Sequence, residues 1–495
     1  MLPVPVNQTR AFSTLFLIEL WERFGYSGMA SLLVLFMMQK RGFGDQQANL
    51  IWGAFTALIY TAPTIGGWIG DKVLGTRRTV PIGAGILALG YLLLSIVGDG
   101  LYALYCAMGV IVVGNGLFKS NAANMVRRIY EGEDARIDSA FTLYYMAVNV
   151  GSTLSILLAP WIKDRFGWHA AFAICCAGLL LGLINYLVML RSIAGVGSPP
   201  DEQPIRWDRL ALVLIGAIAS VAAVAFIIQH RDIAVTCVYI AGIVILTIFA
   251  YMIKTGAKHE RAGLLTALIL VLETLLFFIF YQQMSTSLTL FALRNVDWNQ
   301  TLFGAHVFTW SAAQYQALNP IWIMLLSPLL AWSYRYFGKR GRDLPIAGKF
   351  AIGFAVVAIG FLIFGLSGAS AIDGKVSSWF MVWGYGFYSL GELLVGALGL
   401  AMISRYVPLR MSGFMMGAYF VAVAISQYLG SVVANYASIP ENISDPLASL
   451  AIYTRLFNNL GLLAIGATVL ALVLLPLTKR LSATVHSVSA ESSQV

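Results

Sequence analysis

Three ionisable residues, Glu19, Glu22 and Arg23, fall inside an apolar run long enough to cross a membrane. With Tyr26 they stand at i, i+3, i+4 and i+7, a single stripe on one helical face. A charge at the centre of a membrane helix costs roughly 2.5–3.5 kcal/mol on insertion scales. A stripe that costly must face water, an opposite charge or a charged ligand, and it makes the chain a candidate transporter before anything else is read.

Three more ionisable residues lie at depth in apolar runs: Lys119, Glu273 and Glu392. Lys119 has Asn115 one turn earlier on its face, and Glu392 has Tyr388 in the same relation. Glu273 has no such neighbour beyond Thr274 and is set aside as structural or at the lipid interface. Tyr145 and Asn149 share a face and offer a hydroxyl and an amide, which buried must bond another helix or a ligand. Tyr60 and Asn319 have the same standing, and Pro320 is expected to kink its helix by freeing a carbonyl one turn back. Enzymatic chemistry finds little support. The five histidines stand at or beyond the ends of runs without metal-ligand spacing, and the four cysteines match no metal site or disulfide framework. No phosphate-binding loop is present, so ATP is not the energy source. Neither a cofactor nor a metal is expected, and an ion gradient received by buried carboxylates is the natural drive.

The elements that must position these groups are membrane helices. Hydrophobic residues make up 59% of the 495 and charged ones 11%, against about 25% charged in a soluble domain. Fourteen runs of membrane length are expected, an all-α polytopic protein set in a lipid bilayer. The net charge of +9 is topological rather than a nucleic-acid site. With the N-terminus inside, 22 of the 32 Lys and Arg fall on the inner side and only seven in outer loops, which fixes both termini in the cytoplasm. Pro199, Pro200 and Pro204 break the pattern within 193–208, so this stretch cannot be regular helix. The division expected is a six-helix bundle over 1–192, a linker with two extra helices over 193–260, a second bundle over 261–480, and a Ser-rich, irregular tail over 481–495. Six plus six is the plan of many secondary transporters, whose halves are related by a pseudo-two-fold axis. On that plan Lys119 and Glu392 lie on counterpart helices, a cation and an anion suited to a zwitterion.

These residues resemble the proton-dependent oligopeptide transporter (POT) family of the major facilitator superfamily. The resemblance rests on Glu19-Leu-Trp-Glu22-Arg23-Phe24-Gly-Tyr26-Ser27-Gly28, which follows the ExxERFxYYG pattern, and on the loop Gly67 to Gly75. The segments around Tyr145, Asn149 and Gly151, Gly391-Glu392-Leu393 and Gln316 to Pro320 also fit. It implies symport of di- and tripeptides with protons by alternating access, in a multi-pass plasma-membrane protein, a bacterial inner membrane being expected from the extra helix pair. By position, Arg23 and Lys119 would receive the peptide carboxylate, while Glu392, Asn149 and Asn319 would hold the amine. Glu19 and Glu22 would couple protons with Arg23 and Lys119; Tyr26, Tyr60 and Tyr145 would line the cavity, and Trp310 would wall a side-chain pocket. Asp71, Arg77 and Arg78 would form a conformational loop, and a monomer is expected to suffice. Ser27 replaces the second tyrosine of the pattern, and no histidine lies on the second run, which moves proton work onto carboxylates. The alternative is another small zwitterionic or anionic solute carried by the same coupling.

Overall fold

The structure is a computed structural model, described over residues 7–131, 134–342, 344–399, 401–407, 409–440 and 445–492. It is built of helices, opening with α1 (Gln8–Gln39), α2 (Asp45–Ile69), α3 (Thr76–Ile96), α4 (Leu101–Ile129) and α5 (Asp134–Val188). After two 3₁₀ turns in the inner linker come α6 (Trp207–Gln229), α7 (Arg231–Thr255), α8 (Lys258–Tyr281) and α9 (Ser287–Asn295). The chain continues with α10 (Leu318–Gly338), α11 (Ile346–Leu366), α12 (Ser378–Gly399), α13 (Ala401–Tyr406), α14 (Leu409–Ala434) and α15 (Pro446–Ser492). Among the described residues, eleven segments are long and apolar enough to cross a membrane. One of them holds two helices: α5 has 55 residues, about 80 Å if straight, and bends at Gly167 (φ 85°). With α1 (32 residues), which carries Glu19, Glu22 and Arg23, and α12 (22 residues), which carries Glu392, the described residues give the fourteen crossings expected.

The chain divides into two compact units, one holding the described residues up to Phe43 with Ala54–Ala234, the other Gly44–Gly53 with the chain from Val235 onward. In the first unit α1 packs on α5 and α3 on α4, and α6 leans on α4 where Gly109 meets Val221. Most of α6 faces outward, as a lipid-exposed helix does. The inner linker is not loose. Ser198 and Asp201 form a capping box around its 3₁₀ turn, with the prolines at the turn's start.

In the second unit an aromatic core of Phe280, Phe354, Phe361, Phe364, Tyr388 and Phe457 joins α8, α11, α12 and α15. Asp45, at the start of α2, belongs to this unit. Its carboxylate takes both Nη atoms of Arg294 at 2.6 and 2.7 Å, and Arg294 also donates to Tyr453 at 2.6 Å. Two departures from the sequence reading stand out. A two-stranded antiparallel hairpin, β1 (Asn299–Leu302) and β2 (Ala305–Thr309), interrupts the all-helical plan, turning on Phe303 and Gly304, both with positive φ as a primed turn requires. And α15 runs to Ser492, so the tail from Leu481 begins as helix; neither Pro nor Gly stands in 481–492 to end it.

Candidate functional site

Helix α1 brings its charged stripe inward, and all three charges are buried: Glu22 is 0% exposed, Glu19 3% and Arg23 7%. Arg23 grips Glu22 with two parallel bonds, Nε to Oε2 at 2.5 Å and Nη2 to Oε1 at 2.7 Å. This fork geometry is the strongest ordinary ion pair. Glu19 Oε1 stands 3.7 Å from Arg23 Nε, while its other oxygen accepts a 2.5 Å hydrogen bond from the Tyr144 hydroxyl. One guanidinium thus serves two carboxylates, and a phenol serves the second of them. Asn115 Nδ2 lies 3.5 Å from Glu22 Oε1, so α4 also reaches the stripe.

Two backbone approaches set these distances. Gly151 of α5 lies so close to the Leu20 carbonyl that a Cβ there would collide with it, which draws α5 onto α1 beside Glu19. Gly66 of α2 meets the Gly116 carbonyl of α4 in the same way. That crossing puts the Lys119 ammonium 5.3 Å above the Tyr60 ring, while Arg23 lies 4.8 Å above the ring of Tyr26. Among the described residues Lys119 has no carboxylate within ion-pair distance. Cation and acids share the unit while the acids are held by Arg23 and Tyr144.

The second unit supplies its own carboxylate. Asn319 Nδ2 donates to Glu392 Oε2 at 2.6 Å and lies 3.1 Å from Ser389 Oγ, joining α10 to α12. Tyr388, one turn before Glu392, donates to the Tyr281 carbonyl at 2.9 Å and ties α12 to α8. Pro320 does not kink its helix. It sits in the first turn of α10, where a missing N–H costs nothing, and the proline inside the helix is Pro328.

Other expected residues are placed differently from the reading by spacing. Tyr145 is 40% exposed, and the Asn149 amide donates back to the Tyr145 carbonyl at 2.8 Å; the hydroxyl that meets the stripe is Tyr144. Ser27 shares a 2.7 Å hydrogen bond with Ser152, a contact from α1 to α5. Trp310 stands at the base of the hairpin, bonded through Nε1 to Gln300 and stacked on Tyr315 at 5.1 Å. Asp71 accepts from Asn124 at 2.7 Å and pairs with Arg128 at 3.5 Å. Arg77 and Arg78 clasp the linker: Arg77 bonds the Asp201 carboxylate through its N–H and the Ala194 carbonyl through its side chain, and Arg78 takes the Pro200 and Gln203 carbonyls. Asp201 was not anticipated; the Ser198-Pro-Pro-Asp201 spacing of a capping box was its signal. Glu273 is buried with one carboxylate oxygen lacking a hydrogen-bond partner among the described residues.

Charged groups buried within a polytopic bundle and paired with one another are what a membrane transporter presents. The family profile described as "POT family" matches residues 77–454. The chain belongs to that family. It is 40% identical over 473 residues to "Dipeptide and tripeptide permease B" of Aliivibrio fischeri, covering 95% of this chain and 94% of the relative. It is likewise 40% identical over 480 residues to "Dipeptide and tripeptide permease A" of Escherichia coli, covering 96% and 94%. Among solved structures it is similar to tetrameric PepTSo2, with 58% identity, a TM-score of 0.89 and coverage of 96% and 100%. A peptide transporter POT in complex with sulfate is 28% identical with a TM-score of 0.81, covering 95% of each chain.

Proposed function

We propose that this protein imports di- and tripeptides together with protons by alternating access, in a bacterial inner membrane. The observation that carries the reading is Arg23 held between Glu22 and Glu19 with Tyr144 behind. A peptide carboxylate carries the charge that Arg23 seeks and competes with Glu22 for the same fork. Displaced from its cation, a buried carboxylate is costly unless it takes up a proton. Peptide binding and proton uptake then become one equilibrium, and a ligand shifts a conformation only as far as it binds the two states differently. Lys119, unpaired among the described residues, is available to support the incoming carboxylate or to accept an acid released by Arg23. The peptide amine goes to Glu392, which Asn319 orients; an amide partner can orient that carboxylate without cancelling its charge. Asn149 and the tyrosines Tyr26, Tyr60 and Tyr145 supply further polar contacts.

The names of the relatives support a peptide substrate, and the Glu392–Asn319 pair supports a substrate with an amine. Transport of a different small zwitterion or anion is the alternative. Uptake of labelled dipeptide into proteoliposomes, with and without an inward proton gradient, tests the proposal. Accumulation that ignores the gradient overturns the coupling, and absence of dipeptide counterflow overturns the substrate class.

A further inference from the structure

Where α3 and α6 begin, they and the linker line an open groove. Its rim carries Arg78, Arg206 and Arg209, and beneath lie Leu74, Ile82 and Leu210; no carboxylate belongs to the lining. The charge on this rim is largely available. Arg78 spends its protons on the Pro200 and Gln203 carbonyls, which accept hydrogen bonds without cancelling charge. Arg206 pairs with Asp208 at 2.7 Å, but both side chains are more than half exposed, and such a pair contributes little. Arg209 has no ion pair among the described residues.

The groove lies at a definite depth. Helix α3 has 21 residues, about 31 Å, which matches a hydrocarbon core, and Arg78 is in its first turn. The excess of Lys and Arg places this end on the cytoplasmic side. Trp207, 73% exposed beside the rim, is an aromatic anchor of the kind found at headgroup level. From the floor two apolar tracks run toward the membrane centre. On α6, Leu210 is followed by Leu214 and Ile218, 41% and 71% exposed; on α3, Ile82 leads through Ile86 to Leu89, 48% exposed.

We propose that this groove binds an anionic glycerophospholipid of the inner leaflet, its phosphate among Arg78, Arg206 and Arg209 and an acyl chain along the α6 track. Basic pockets between helices on the cytoplasmic side hold such headgroups, each nearby cation adding to the attraction. A free phosphate would use the rim but would gain nothing from the tracks.

The test uses the full-length protein, purified and delipidated, with retained lipid measured by native mass spectrometry. Palmitoyl-oleoyl phosphatidylglycerol is the probe and the matching phosphatidylcholine the control. Wild type is expected to retain the anionic lipid in preference, and Arg206→Gln/Arg209→Gln to retain it about tenfold less. Lys339→Gln/Arg340→Gln, on an inner loop of the other unit, should match wild type. Asp208→Asn removes only the competing carboxylate and is expected to tighten retention, a gain that misfolding cannot imitate. Equal binding of both lipids by wild type, or undiminished phosphatidylglycerol in the double arginine variant with no gain in Asp208→Asn, overturns the site. Full displacement of the lipid by millimolar inorganic phosphate would assign the rim to a soluble anion instead.

Discussion

The Tyr144 hydroxyl donates to Glu19 Oε2 at 2.5 Å, so the acid farther from the Arg23 fork is held by α5 as well as by the Arg23 of its own helix. A neutral donor stabilises a carboxylate without competing for the substrate's charge. Tyr144→Phe keeps the ring and removes only that donor. We expect gradient-driven uptake to fall severalfold and its pH profile to move, while the dipeptide KM in counterflow stays within about twofold. An unmoved pH profile would reduce Tyr144 to packing.

Glu22 shares both of its oxygens with Arg23. Glu22→Gln preserves the shape but cannot carry a proton on and off. The variant should exchange dipeptide across vesicles and fail to accumulate it against a gradient. Normal accumulation would remove Glu22 from the coupling path.

Lys119 lies 5.3 Å above the Tyr60 ring and makes no ion pair among the described residues. Lys119→Ala is expected to abolish driven uptake. A raised KM with intact proton dependence would instead make Lys119 a docking charge alone.

The amine end is tested by chemistry on the substrate. If Glu392 reads a protonated amine, Glu392→Gln should weaken unmodified dipeptides at least tenfold, and N-acetylated dipeptides hardly at all. Equal losses would sever Glu392 from the amine. Asn319→Ala, which leaves the charge in place, should cost less.

Asp45 is 4% exposed and holds both ends of the Arg294 guanidinium. Removing Asp45 strands Arg294, whose side chain is 26% exposed, at about 1–3 kcal/mol, less than a fully buried pair would cost. Asp45→Ala should therefore lower the melting temperature in detergent by several degrees. Melting unchanged from wild type would show that solvent already screens the pair.

The sequence made the helices and the α1 stripe legible because a membrane charge is expensive and a 3.6-residue period fixes its face. Glu19, Glu22 and Arg23 fall together as that period demands. Partners on other helices were harder. Asn319 and Glu392 lie 73 residues apart and both were singled out, yet only the packing of α10 on α12 makes them neighbours. On α5 the i, i+4 relation favoured Tyr145 with Asn149. The better signal was Gly151, seven residues after Tyr144 and so on its face, which marks the side that touches α1. Pro320 misled because its place relative to the helix start, not its identity, decides whether a proline bends the chain. The hairpin was missed because its turn depends on the positive φ of Phe303, a residue that does not advertise it.

The clasp of Arg77 and Arg78 on residues 194–203 bears on where the gene could be divided. Three prolines in a polar stretch suggest a tether, the natural place to cut, to insert a tag or to split the protein into co-expressed halves. Splinted by two arginines and by Asp201, that stretch belongs to the first unit, and a cut there would strip α3 of the carboxylate that caps its start. The seam that spares these bonds is the short turn at His230 between α6 and α7, four residues before the unit boundary. Domain swaps with other permeases of the family belong at that turn, with α6 travelling as part of the N-terminal half.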